Sequence, residues 1–326
     1  MNKTYREIFV ENMEDYRGVI DIPPERQARI DLVKTDLTGN SFNDKNWFFV
    51  AGIPRSGTTI ISKIISQHPD CICTDEIFPV HKIIDIFTGR LFQSTSCISA
   101  QEGYDLNTDA LYGMLNGFYK NAFPSKSFFG DNGHSYLRGI RGENITPYVD
   151  IIKKTFNNAN FFLCIRNLLD LESSYMSQKW YCLPSTPKAI SNRIAANYVA
   201  NYLSIKDGYY KIDFNLMYIK EHFKVAMKSI FEKIGADPDV FDYNNVYREA
   251  NYSQFNGAKQ RWRKDQRILD FLEWAKDNDK MLYEIIIHNQ QYPKIHVDEL
   301  IDKVKNSGRI SVPLHCNYKN ENASVY

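Results

Sequence analysis

Apolar residues recur along this chain in two rhythms, and each marks a different element. The run from Trp47 to Ile53, WFFVAGI, is short, unbroken and rich in β-forming side chains, the pattern of a strand buried on both faces. PRSGTT follows it. The next stretch, TIISKIISQHPD, puts Ile60, Ile61, Ile64 and Ile65 on one helical face before His68-Pro69 stops the helix. A strand, a tight turn and a helix are therefore predicted in succession. Cys71 to Thr74, CICT, predicts a return to the same sheet that ends at Asp75 and Glu76. Residues 80 to 155 predict helical pieces around a loop, FFGDNGHSYLRG. Asn160 to Arg166, NFFLCIR, is a second buried-strand run and leads into a helix through Leu171, Ser174 and Tyr175. Tyr209 to Phe214 predicts a further strand, and residues 219 to 234 an amphipathic helix closed by Gly235. From Arg263 to about His288 the period is again helical, with Ile268, Phe271, Leu272 and Ala275 on one side. This order predicts an α/β fold, a mostly parallel sheet flanked by helices and carrying helical insertions. No linker interrupts it, so one domain over 1–326 is expected, with 1–46 as an N-terminal extension and 310–326 as an irregular polar tail.

Composition narrows the function classes. The 326 residues are 43% hydrophobic and 14% aromatic, enough to bury a large core and too much for a disordered chain. With 40 basic against 39 acidic residues the net charge is +1, which argues against a general nucleic-acid binder and makes any anion site local. Charges interrupt every apolar step of MNKTYREIFVENMEDYRG, so neither a signal peptide nor an anchor is expected there, and no apolar run is long enough to span a bilayer. The six cysteines lack CxxC spacing. Cys71, Cys73 and Cys164 fall inside apolar runs, which points to buried thiols in a reducing cytoplasm and away from disulfides or zinc.

The turn after the first strand carries the chemistry. Gly52-Ile53-Pro54-Arg55-Ser56-Gly57-Thr58-Thr59 has the spacing GxxxxG followed by two threonines. A nucleoside-triphosphate loop reads GxxxxGK[ST], whereas here Thr58 stands in the lysine position and Arg55 is the one cation. A glycine turn at a helix N-terminus aims backbone N–H groups at a single point, where the helix dipole also attracts an anion. Ser56, Thr58 and Thr59 add hydroxyls, and Arg55 adds a planar fork suited to phosphate or sulfate oxygens. The bland alternative is an ordinary βα turn, with Pro54 and Gly57 there for backbone reasons and the threonines as caps.

FFVAGIPRSGTTIISKIISQHPDCICTDE resembles the 5′-phosphosulfate loop of the sulfotransferases that use 3′-phosphoadenosine 5′-phosphosulfate (PAPS), closest to the tyrosylprotein and bacterial carbohydrate-type branches. The resemblance implies a P-loop-like fold, PAPS as donor, 3′-phosphoadenosine 5′-phosphate (PAP) as product, and a small-molecule or glycan acceptor. It also implies that Arg166 and, eight residues on, Ser174 hold the nucleotide's 3′-phosphate alongside the loop residues 54–59. The basic loop that closes over the nucleotide in the cytosolic branch has only a degraded counterpart in Gly257-Ala258-Lys259-Gln260-Arg261, read here as a solvated charge cluster.

Sulfuryl transfer to a hydroxyl needs a base near the loop and donors that stabilise charge on the departing phosphate, and it needs no metal to clamp a triphosphate. Glu76, 21 residues beyond Arg55, occupies the position of the catalytic glutamate of the tyrosylprotein branch. His134 falls at the histidine of the cytosolic branch, with an ordinary pKa suited to a base near neutrality. The resemblance favours Glu76, with His134 as rival and Asp75 as neighbouring alternative. One departure stands out, because Asn132 occupies the place where relatives carry a lysine on the leaving oxygen. Arg55 then carries that stabilisation alone, unless Lys126 or Arg138 reaches in. The competing readings are a nucleotide or small-molecule kinase with a degenerate P-loop and a PAP-binding module without turnover.

Overall fold

The computed structural model describes residues 46–74, 80, 108–133, 136–138, 140–141, 144–145, 148–177, 185–250, 260–287 and 294–306. The 1–46 extension apart from Asn46, the 310–326 tail, Asp75, Glu76 and His134 lie outside the described residues. All that is described falls within one compact unit, Asn43–Tyr326.

Strand β1, Trp47–Gly52, is buried at every position, as its unbroken apolar run requires. Helix α1, Thr58–Ile65, follows the turn, and β2, Cys71–Thr74, returns. After helix α2, Thr108–Ala122, comes β3, Phe128–Gly133, then α3, Tyr148–Thr155, β4, Asn160–Ile165, and α4, Leu168–Met176. Helix α5, Pro187–Lys206, leads to β5, Tyr210–Asp213, and α6, Lys220–Ile234, closes on Gly235 in the left-handed conformation. The remaining helices are α7, Tyr243–Ala250, α8, Gln266–Asn278, α9, Lys280–Ile287, and α10, Lys294–Asn306.

The five strands form one sheet in the order β2-β3-β1-β4-β5, and every neighbouring pair is parallel. The α/β expectation is thereby met. Strand β1 sits at the centre, and the chain leaves it first toward β2 and β3 and later toward β4. The order switches there, so ligand crevices are expected beyond its carboxyl end.

Two layers cover the sheet. Phe48, Val50 and Phe162 face α1 and α6, where Ile61, Ile64, Phe223, Met227, Ile230 and Phe231 complete one core. Trp47 and Phe49 face the other way, into an aromatic cluster with Tyr119, Tyr136, Phe156 and Phe161. A third core joins α5 to α8, α9 and α10.

Two expectations are corrected. The segment read as the start of a loop, FFGDNG, is β3, an interior strand paired with both β1 and β2. Its glycines and acid-amide pair hide the β pattern, yet Gly130 is required because a Cβ there would lie 2.2 Å from the Phe48 ring. The helical stretch from Arg263 to His288 is two helices, α8 and α9, broken at Asp279, whose backbone caps α8 and leaves helical geometry.

Candidate functional site

The loop after β1 is shaped by close backbone approaches. A Cβ on Gly52 would meet Ser56 Oγ at 2.3 Å, so only glycine lets the turn fold back over the strand end. The Ser56 N–H donates to Ile53 O at 2.9 Å and closes the turn. Arg55 adopts φ 73° and Gly57 φ 102°. For an arginine this left-handed backbone is strained, the kind of conformation that persists where surrounding structure holds it. Gly57 is doubly specified, because the Phe214 ring lies 2.3 Å from where its Cβ would be. Gly57 precedes α1 without giving it a side-chain cap, and while the Ile60 N–H donates to Gly57 O at 3.0 Å, the N–H groups of Thr58 and Thr59 stay available to a ligand.

Strand β4 and helix α4 bring in the second motif. Arg55 Nε donates to Ser174 Oγ at 3.2 Å, and Arg166 Nη1 donates to Arg55 O at 2.9 Å. The Arg166 guanidinium also sits 5.9 Å from the centre of the Phe214 ring, the ring that backs Gly57. Residues 111 and 119 positions away from the loop in sequence are thus joined to it directly. The fit to an anion rests on two orphaned atoms, since Ser56 Oγ and Arg166 Nε are buried without a hydrogen-bond partner. A buried donor left unpaired is costly, and an anion at the loop mouth is the kind of group that pairs both.

Electrostatics point the same way. Burial first, and then the charges of Arg261 and Arg55, lower the Arg166 pKa against the opposing pull of Asp170. Arg261, read from the sequence as part of a solvated charge cluster, is exposed as that reading expects, and Gly257 to Lys259 lie outside the described residues. Asp170 was missed altogether. Its signal was its position in the first turn of α4, four residues beyond Arg166, where a helix N-terminus favours a carboxylate.

The ends of β2 and β3 form the other wall. The Thr74 hydroxyl donates to Asp131 Oδ1 at 2.6 Å and shares a 2.5 Å hydrogen bond with the Tyr119 hydroxyl, while Tyr136 OH donates to Asp131 Oδ2 at 2.5 Å. Asn132 points to the opposite sheet face from Asp131, paired in register with Val50 on the α1 side. Its Nδ2 donates to Thr74 O at 3.3 Å, and its buried Oδ1 has no partner. Two proposed substitutes for the missing lysine are ruled out by geometry. Lys126 binds Pro69 O at 2.7 Å and His68 O at 3.3 Å, before β2 and β3 begin and so at the end of the sheet away from the loop. Arg138 is committed to Asp150 at 2.5 Å and Asp207 at 2.8 Å. Arg55 and Arg166, joined through the Arg55 carbonyl, are the cations that hydrogen bonds place at the site.

No group of three or more metal-ligating side chains occurs among the described residues. None of their helices is long and apolar enough to cross a membrane. Cys71, Cys73 and Cys164 are buried free thiols, and burial pushes the Cys71 thiol up to about 12.

Residues 48–206 match the model of the sulfotransferase family. No curated protein matches the chain. Among solved structures, the sulfotransferase STF9 from Mycobacterium avium is 10% identical over 79% of this chain and 86% of its own, with a TM-score of 0.36. The sulfotransferase domain of the Synechococcus PCC 7002 olefin synthase is 13% identical over 79% of this chain and 93% of its own, with a TM-score of 0.42.

Proposed function

We propose, from the match of residues 48–206 to the sulfotransferase family model, that the chain moves a sulfuryl group from PAPS to a hydroxyl of a sugar, a phenol or tyrosine, or a lipid. The observation that carries this reading is the joining of Arg55, Ser174 and Arg166 at the loop mouth, with Ser56 Oγ and Arg166 Nε left for a ligand. In this arrangement Arg55, the loop amides and the hydroxyls of Ser56, Thr58 and Thr59 hold the sulfonate and 5′-phosphate. Arg166 and Ser174 hold the 3′-phosphate. PAPS supplies the activated sulfuryl group when bound.

This chain's residues do the rest. A base takes the acceptor's proton as its oxygen attacks sulfur, and Glu76 is assigned that role, with His134 as the rival and Asp75 the neighbour. Arg55 and the loop N–H groups stabilise charge on the phosphate oxygen as the sulfur–oxygen bond breaks, a role for preorganised donors. Asn132 fits a tie between strand ends better than a leaving-group contact, because its amide is spent on Thr74 O. The catalytic load on Arg55 rises accordingly. One domain acting in a reducing cytoplasm is consistent with the three buried thiols.

Calorimetry with PAP, without magnesium, tests the site. Removing a charge-assisted contact costs roughly 1.5 to 3 kcal/mol, so Arg166→Ala should weaken PAP at least about tenfold. Unchanged affinity in the folded variant would overturn the assignment, and equal affinity for magnesium-ATP would favour a kinase. Labelled PAPS offered with sugars, phenols, lipids and peptides then identifies the acceptor. PAP binding with no turnover on any of them would support the inactive module.

A further inference from the structure

Asp131 is fully buried toward the carboxyl end of β3, yet it neither holds the nucleotide nor takes a proton in the reaction proposed above. A buried carboxylate is costly unless its oxygens are paired. Here Oδ1 accepts from the Thr74 hydroxyl at 2.6 Å and Oδ2 from the Tyr136 hydroxyl at 2.5 Å. An ionised carboxylate only accepts, so it draws the Thr74 proton in preference to Gly130 O at 3.2 Å. The 2.5 Å contact between Thr74 and Tyr119 then runs from the Tyr119 hydroxyl to the Thr74 oxygen. Burial first, and then the charge of Asp131, raise the Tyr119 pKa, so that hydroxyl keeps the proton it donates. Helix α2, the end of β2 and the segment after β3 are thus fastened to one side chain.

What Asp131 fastens is the chain next to both candidate bases. Thr74 is the last residue of β2, and Glu76 follows it by two positions. Its carbonyl is also held, because Asn132 Nδ2 donates to Thr74 O at 3.3 Å. Consecutive residues of β3 therefore grip the end of β2 at its side chain and at its backbone. On the other side, the Asp131–Tyr136 bond closes the chain over the five-residue step that contains His134. The Tyr136 carbonyl accepts from the Tyr209 hydroxyl at 2.7 Å, so this anchor is itself tied to the start of β5.

We propose that Asp131 is a positioning residue for the base, holding Thr74 and Tyr136 so that the segments carrying Glu76 and His134 leave the sheet from fixed points. Asp131 touches no substrate in this role and takes no proton from it. A base works only within hydrogen-bond reach of the acceptor hydroxyl, and a misplacement of about 1 Å can cost on the order of 10²-fold in rate. The inference rests on the PAPS reading and the base assignment above, and adds to them the buried group that orients the base. Its consequence is selective, because the nucleotide is held by Arg55, Arg166 and Ser174 and owes nothing to this clamp.

The experiment sets PAP affinity, by calorimetry, beside single-turnover rates with saturating labelled PAPS and the sugars, phenols, lipids and peptides of the screen above, on the full chain. A wild-type protein that binds no PAP, or turns over PAPS with none of these, sinks the sulfotransfer reading itself. Given turnover, two variants loosen the clamp. In Asp131→Asn one amide oxygen replaces two carboxylate oxygens, so the NH2 group faces one of the two hydroxyls. Tyr136→Phe keeps the ring and removes one tie. Each should slow the single turnover about tenfold or more and leave PAP affinity within about twofold. A merely structural role would lower rate and affinity together or leave both unchanged, and either result overturns the proposal. The rate loss should also disappear in whichever of Glu76→Gln and His134→Gln removes the base, since a group that accepts no proton has no placement left to lose. Additivity with both overturns the proposal. Near-normal rates in both of those single variants remove the base assignment, and the proposal falls with it while PAP binding stands. If Asp131→Asn does not fold, Tyr136→Phe decides alone.

Discussion

At the scale of single residues the candidate site is a set of groups whose chemistry depends on who holds them. Arg55 reads as an anion-binding arginine from its motif, but the fold adds two restraints, a left-handed backbone and a hydrogen bond to Ser174. Both reduce the freedom that a long side chain loses on binding, which favours a preorganised contact. The proposed base makes a separate prediction. Glu76→Gln keeps shape and removes proton acceptance, so single-turnover rates with saturating PAPS should fall by roughly 10² to 10⁴ while PAP binding persists. His134→Gln should keep a much larger residual rate. The reverse order would transfer the role to His134, and near-normal rates in both would remove it from each.

At the scale of elements, β3 shows how local pattern and tertiary need part ways. FFGDNG has glycine at two of six positions and an acid-amide pair between them, which argues against a strand on propensity alone. Between two parallel neighbours each oddity has a use. Gly130 makes room for Phe48, Asp131 ties Thr74 to Tyr136, and Asn132 ties its amide to the end of β2. Gly130→Ala should therefore destabilise the protein by about 1 to 3 kcal/mol through overpacking against a ring that cannot retreat. Urea unfolding with an unchanged slope is the check, and a shift below about 0.5 kcal/mol would contradict this account of the strand. Helix α5 makes the complementary point. Buried on most of its circumference, it lacks an amphipathic stripe to betray it, and its legible marks are only the Thr186 cap and Pro187 at the first position.

At the scale of the whole molecule, one carboxylate links distant pieces. Asp207, just past α5, accepts from Arg138 at 2.8 Å and from Lys153 at 2.7 Å, tying α5 to α3 and to the segment after β3. Burial alone would raise its pKa, but hydrogen bonds and charge from Arg138 and Lys153 win and hold it below the ordinary 3.8. A carboxyl depressed by folding stabilises the native state above its unfolded pKa, and that contribution disappears as pH falls through the folded value. Asp207→Asn should thus lower the melting temperature at pH 7, and the gap to wild type should close as pH drops below 3.8. A gap that stays constant down to acid unfolding would show that the carboxylate's charge is not what matters. The sequence by itself determined the elements whose pattern is local: the unbroken runs of β1 and β4, the isoleucine face of α1, the Gly235 stop and the glycine turn whose arginine and hydroxyls make it a candidate anion loop. Tertiary structure alone decided what depends on partners far along the chain. It placed β3 inside the sheet, paired Arg55 with Ser174, joined Arg166 to the Arg55 carbonyl and sent Lys126 and Arg138 elsewhere. The physical reason is that periodicity reports which face of an element avoids water, whereas a hydrogen bond or a charge contact across more than a hundred residues is fixed only when the elements pack.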